Sequence, residues 1–72
     1  MSEPLMITLK AARVNAGMTQ DEVANKAGIT VQTLSSWELG KSVPSPLNVF
    51  GLCSIYGISV DNIFLPEKLT ES

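Results

Sequence analysis

The segment Thr19-Gln20-Asp21-Glu22-Val23-Ala24-Asn25-Lys26-Ala27-Gly28-Ile29-Thr30-Val31-Gln32-Thr33-Leu34-Ser35-Ser36-Trp37-Glu38-Leu39 sets the architecture, because it holds two helix starts and a helix stop close together. Thr19 through Glu22 form a capping box: the Thr19 hydroxyl can accept from the Glu22 amide while the Glu22 carboxylate reaches back to the Thr19 amide. Asp21 and Glu22 also oppose the positive end of the helix dipole. Val23, Ala24 and Ala27 make the inward stripe of this helix, and Gly28 closes it. Thr30 then caps a second helix, with Ile29 ahead of it and Val31, Leu34 and Trp37 following at helical spacing. Gly40 ends that helix.

Upstream, Met1 to Leu5 read as a short tail. From Met6, the apolar positions Ile7, Leu9, Ala11, Ala12 and Val14 predict a helix ending at Gly17, with Lys10 and Arg13 on one face. Downstream, Lys41 to Pro44 form a loop in which Pro44 blocks helix continuation. Ser45-Pro46 starts a further helix. Its apolar row is Leu47, Phe50, Cys53 and Tyr56, with Val49 and Leu52 beside it, up to Gly57. Ser59 caps a last short helix through Val60, Ile63 and Phe64, stopped by Pro66, and Glu67 to Ser72 are left frayed or free for partner contacts. The sequence has no internal repeat, low-complexity tract or convincing strand. The expectation is an all-α, five-helix domain, residues 1–72, with its core between residues 6 and 65 and a short tail at each end.

Composition bounds the chemistry. The chain has 72 residues, 44% hydrophobic and 17% charged, so it can form one small core but needs efficient packing or self-association. Cys53 stands alone, which excludes an internal disulfide and a cysteine-built zinc site; on an apolar stripe it reads as a small buried hydrophobe. Histidine is absent, which removes the commonest general base and the commonest nitrogen ligand. No nucleophile–base pair or phosphate-cradling glycine loop is present, and the adjacent Asp21 and Glu22 point apart, so neither catalysis nor a metal or cofactor is expected. There is no secretory signal and no apolar run of about 18 residues. A cytoplasmic protein, complete from Met1, is the corresponding expectation.

The two helices between Gln20 and Leu39 carry the functional reading. A small residue where they cross (Ala24), glycine at the turn (Gly28) and apolar locks on the second helix (Ile29, Leu34, Trp37) make that helix stand proud. Its polar face can then enter a DNA major groove about 12 Å wide. The bland alternative is a plain αα-hairpin inside a bundle.

The run Thr19-Gln20-Asp21-Glu22-Val23-Ala24, then Ala27-Gly28-Ile29, then Trp37-Glu38-Leu39-Gly40-Lys41 and Pro44, resembles the phage repressor and Cro family of helix-turn-helix domains (XRE type). Tyr56-Gly57-Ile58-Ser59-Val60-Asp61 is similar to that family's final turn, and the likeness extends from Ile7 to Phe64. It implies a lambda-repressor-like, five-helix domain whose third helix reads double-stranded DNA. Gln20 matches a glutamine that holds a phosphate, and Lys41 matches a backbone-contacting position. Val31, Gln32, Ser35 and Ser36 occupy exposed positions of the reading helix. Gln32 can pair bidentately with adenine N6 and N7, and Val31 suits a thymine methyl. Thr30 and Thr33 fall to phosphate contact or helix capping. Arg13 and Glu38 match a buried ion pair joining the first and third helices, a structural assignment.

The formal charge of −2 runs against DNA binding, which draws affinity from counterion release. With Arg13 and Glu38 cancelling, the remaining acids Glu3, Asp61, Glu67 and Glu71 fall outside the reading face, and Glu22 is engaged in its cap. Lys10, Lys41 and Lys26 remain as phosphate partners. So few cations imply a shallow salt slope per subunit, which a homodimer on a palindromic operator would double. The expected dimer surface is the C-terminal helix and tail, around Ile58, Val60, Phe64 and Leu65. The rival expectation, favoured by the acidic balance, is an antitoxin-like or co-regulator module of the same fold with weakened DNA binding.

Overall fold

The computed structural model describes residues 6–65. In order, the chain forms strand β1 (Ile7–Thr8), helices α1 (Leu9–Asn15), α2 (Gln20–Ala27), α3 (Val31–Leu39) and α4 (Pro46–Tyr56), a 3-10 turn (Val60–Asn62) and strand β2 (Ile63–Phe64). Each helix begins where a hydroxyl accepts an otherwise orphaned amide. The Glu22 amide donates to Thr19 Oγ1 at 3.1 Å and the Thr19 amide to Glu22 Oε1 at 2.8 Å, which completes the capping box. Thr30 Oγ1 accepts from the Thr33 amide at 3.0 Å, and Ser45 Oγ from the Asn48 amide at 3.3 Å. Gly28, at φ 73°, takes the left-handed conformation that lets α2 stop and α3 start at a new angle.

Four helices, not five, occur among the described residues, and the expectation fails at both ends of the domain. Thr8 is in extended conformation and its Oγ1 caps α1 by accepting from the Ala11 amide at 3.0 Å, so the helix starts at Leu9 rather than Met6. Ser59 does cap as expected, with the Asp61 amide donating to its Oγ at 3.2 Å, but only a 3-10 turn follows. Ile63 then extends and pairs with Ile7, and Phe64 with Thr8, in a two-stranded parallel sheet. This pairing ties the start of α1 to the end of the domain. It corrects the strand-free reading while leaving the domain mostly helical. The tails Met1 to Leu5 and Glu67 to Ser72, and Pro66 as a stop, lie outside the described residues.

The core is assembled from the four helices and β2: Leu9 and Ala12 of α1, Val23 of α2, Leu34 and Trp37 of α3, Val49, Leu52, Cys53 and Tyr56 of α4, and Ile63 of β2. Each fully buried aliphatic side chain there contributes roughly 1.5–3 kcal/mol. Ala24 is buried as expected at the helix crossing, whereas Ala27 is exposed. The apolar row expected on α4 is also corrected. Steps of three residues fall about 60° short of a full turn each time, so a row from Leu47 to Tyr56 walks half way round the helix. The buried set is instead Val49, Leu52, Cys53 and Tyr56, at i, i+3, i+4 and i+7, while Leu47 and Phe50 are 79% and 64% exposed. Gly51 sits inside α4, where glycine costs about 0.8–1 kcal/mol relative to alanine. A Cβ added there would meet no atom within 4 Å, so packing within one chain does not require it. No helix among the described residues is long and apolar enough to cross a membrane.

Candidate nucleic-acid interface

Helix α3 is held from below by Leu34 and Trp37, which are 0% and 8% exposed, and from its C-terminal end by an ion pair. Arg13 Nε donates to Glu38 Oε2 at 2.7 Å and Arg13 Nη2 to Glu38 Oε1 at 3.2 Å, a two-point contact between α1 and α3. Arg13 Nη1 also donates to the Met18 carbonyl at 3.0 Å. Side-chain exposures of 12% and 3% make this a largely enclosed, part-buried pair. Donation to the Glu38 carboxylate raises the Arg13 guanidinium above its ordinary range, against the opposite pull of burial. Nearby, burial and then the Glu38 charge push the Tyr56 hydroxyl up to about 12. Burial alone pushes the Cys53 thiol up, consistent with a core residue rather than a reactive one.

Gln20 was expected on a phosphate; its side chain is half-buried and its Nε2 donates to Glu38 Oε1 at 3.0 Å. The α1–α3 pair is therefore a three-residue network that also fixes α2. The amide has a second N–H beyond the one used in this network, and Gln20 lines the same depression as Lys10, Ser35 and Leu39. A neighbouring depression is lined by Gln32, Ser35, Ser36, Leu39 and Lys41. The two join across Ser35 and Leu39 into one shallow surface along α3.

That surface brings together most, not all, of the expected site residues. Gln32 and Lys41 are exposed, and Ser35 and Ser36 are half-buried. Ser36 receives a hydrogen bond from Ser42 Oγ at 3.1 Å, and its carbonyl accepts from the Lys41 amide at 2.9 Å, so the loop carrying Lys41 is fastened to the end of α3. Val31, Thr30 and Thr33 lie outside these depressions. Val31 is half-buried, and Thr30 Oγ1 donates to Thr33 Oγ1 at 2.9 Å, so both threonines are engaged in the α3 cap. Leu39 is the residue not expected on this face. It is 66% exposed, at i+7 from Gln32, so the stripe Gln32, Ser35, Ser36, Leu39 follows the i, i+3, i+4, i+7 rule. That spacing was available in the sequence. Charge over the described residues balances, Lys10, Arg13, Lys26 and Lys41 against Asp21, Glu22, Glu38 and Asp61. The acidic surplus therefore belongs to the terminal segments, away from this surface in sequence.

A family model described as helix-turn-helix matches residues 9–63. The chain is 34% identical over 59 residues to an uncharacterized HTH-type transcriptional regulator of Methanocaldococcus jannaschii, covering 82% of this chain and 89% of that protein. It is 28% identical to the uncharacterized HTH-type transcriptional regulator YgzD of Bacillus subtilis, over 83% of this chain and 91% of that one. An uncharacterized HTH-type transcriptional regulator of Archaeoglobus fulgidus is 28% identical, over 79% and 81% of the two chains.

Proposed function

The chain belongs to the XRE-type helix-turn-helix family, and from that premise we propose that it is a sequence-specific double-stranded DNA-binding regulator of transcription, a phage-type repressor or Cro-like protein with α3 in the major groove. The observation that carries this reading is the uncharged stripe of exposed Gln32 and Leu39 with half-buried Ser35 and Ser36 between them, on a helix clamped from behind by Leu34, Trp37 and the Arg13–Glu38–Gln20 network. A base-reading helix needs a free face of short polar groups and a rigid seat, and α3 has both.

In this reading Gln32 pairs with an adenine edge, Ser35 and Ser36 hydrogen-bond to neighbouring bases, and Val31 meets a thymine methyl at the rim. Lys41 and Lys10 neutralise phosphates on either side, and Gln20 gives its second N–H to a phosphate. Thr30 and Thr33 approach the backbone from the α3 cap. Few cations per subunit make a homodimer on a palindromic operator part of the reading, and DNA regulation of this kind belongs in the cytoplasm. The family is one of DNA-binding regulators rather than enzymes.

Selection of binding sites from a random duplex library tests the reading. The expected outcome is enrichment of a palindrome with half-site centres about 34 Å apart or a multiple of it; a pool unchanged after selection contradicts it. The net charge of −2 favours a second reading, an antitoxin-like or co-regulator module with weakened DNA binding, and that reading expects the unchanged pool.

A further inference from the structure

The exposed face of α4 has a composition that solvent alone does not explain. The helix Pro46–Tyr56 contains no charged residue, its exposed polar side chains are Asn48 and Ser54 alone, and a helix with large apolar groups on both faces suits an interior. Its buried face is Val49, Leu52, Cys53 and Tyr56; directly opposite run Leu47, Phe50, Gly51 and Ser54, at i, i+3, i+4 and i+7. Leu47 and Phe50 are 79% and 64% exposed, side by side, and Gly51 carries a helix-propensity penalty with open space above it. A phenylalanine buries about 150–250 Å² when enclosed, so Phe50 still presents on the order of 100 Å² to a partner.

We propose that this face docks a second copy of the same chain across a two-fold axis passing between Phe50 and Gly51, pairing α4 with α4 antiparallel. The argument is the size order along the stripe, large, large, small, small. A two-fold axis at that point sets Phe50 against Gly51 of the second copy and Leu47 against its Ser54, each bulky side chain over a small one, and repeats both contacts by symmetry. Gly51 is then explained as the place where the second backbone or ring approaches closely. Grooves of about 280 Å³ and 290 Å³ flank the stripe, one bordered by Leu47, Gly51 and Ile55 and the other by Phe50, Ser54 and Val60, and they give the incoming side chains somewhere to lie. The C-terminal surface expected from the sequence offers less to a second copy. Ile58 and Leu65 pack partly buried against the core, Phe64 is half-buried, and Val60 borders the α4 patch. One helix pair covers less than the ~800 Å² per partner of a standard interface, so the association is weak, in the roughly micromolar range, and closes at two copies.

The inference supplies the surface for the dimer in the functional reading, and its test omits DNA so that the two can fail separately. Sedimentation equilibrium of the full chain over a wide concentration range is expected to fit a monomer–dimer equilibrium. Phe50→Glu and Gly51→Gln should each weaken it at least roughly tenfold. Both variants should keep the wild-type helical circular dichroism, and Gly51→Gln should melt no lower than wild type, since glutamine is the better helix former and the site is open. Were Gly51 merely a flaw in the helix, its replacement would raise the melting temperature and leave the association unchanged. In a Leu47→Cys, Ser54→Cys double variant, oxidation should join two chains into a dimer. A chain monomeric at every concentration overturns the proposal and leaves the face to a different partner; so does a dimer indifferent to both variants, or assembly that continues beyond two copies.

Discussion

Helices α3 and α4 each bury one face in the same core and leave the other to solvent, yet their free faces are built oppositely. On α3 the outward stripe is Gln32, Ser35, Ser36 and Leu39, mostly polar, with the two serines half-buried; on α4 it is Leu47, Phe50, Gly51 and Ser54, with two large apolar groups in the open. Beside the apolar seat of α3 stands a hydrogen-bonded ion network, whereas under α4 the side chains are apolar apart from the Tyr56 hydroxyl. Burial alone therefore does not give a helix its role. A polar free face over a polar clamp suits a surface that must meet hydrogen-bonding base edges in one orientation. An apolar free face over an apolar core suits contact with another protein surface.

Removing the clamp under α3 should separate the two helices most strongly. Arg13→Ala leaves the 3% exposed Glu38 carboxylate with Gln20 alone. The expected loss is about 3–5 kcal/mol. A thermal melt should show it as a fall of at least about 12 °C, since each kcal/mol shifts a domain of this size by about 4–8 °C. An unchanged melting temperature would mean that α3 is seated by Leu34 and Trp37 alone.

The next largest effect lies under α4 and depends on pH. The Tyr56 hydroxyl is raised to about 12 in the folded chain, chiefly by burial. A raised acid is protonated in the native state where the unfolded chain has already lost the proton. Its contribution is therefore intact below about pH 10 and is lost as pH climbs from there toward 12, to a total on the order of 2–3 kcal/mol. Denaturant titrations at about pH 9 and about pH 11 should differ by about half that total, roughly 1–1.5 kcal/mol, for the wild type. Tyr56→Phe should flatten that difference, and a slope that persists in the variant would assign it to other groups.

On the free faces the effects are smaller and separate by kind. Gln32→Ala should cost about 1–3 kcal/mol of discrimination at one base pair while sparing stability; Lys41→Ala should weaken all duplexes alike and lower the salt slope by about 1. Equal losses on specific and random duplexes for Gln32→Ala would remove it from base reading. Smallest of all, Gly51→Ala should stabilise the monomer by about 0.8–1 kcal/mol, measured at concentrations too low for association.

Much of this architecture was legible because helix ends are local chemistry. The reciprocal bonds of Thr19 and Glu22, the hydroxyl cap at Thr30 and the Ser45-Pro46 start each involve residues three apart or fewer, and all form as expected. The β1–β2 pair was not legible: two-residue strands have no alternation to detect, and Ile7 meets Ile63 from the opposite end of the domain. Val60, Ile63 and Phe64 have helical spacing, so only this distant partner could show that they extend. The Gln20–Glu38 bond was hidden for the same reason, being a contact between helices. Leu39 was a different kind of miss, since its i+7 relation to Gln32 lay in plain view and its leucine side chain suggested burial.

Everything proposed for function rests on α3 meeting DNA through its free face, and fluorescence anisotropy measures that contact. The full chain would be titrated against a library-selected duplex and a scrambled duplex of equal length, at several salt concentrations. The expected result is preference for the selected duplex by roughly 10³-fold or more, with a shallow salt slope that reflects how few lysines flank α3. Equal affinity for the two duplexes at low salt would contradict it.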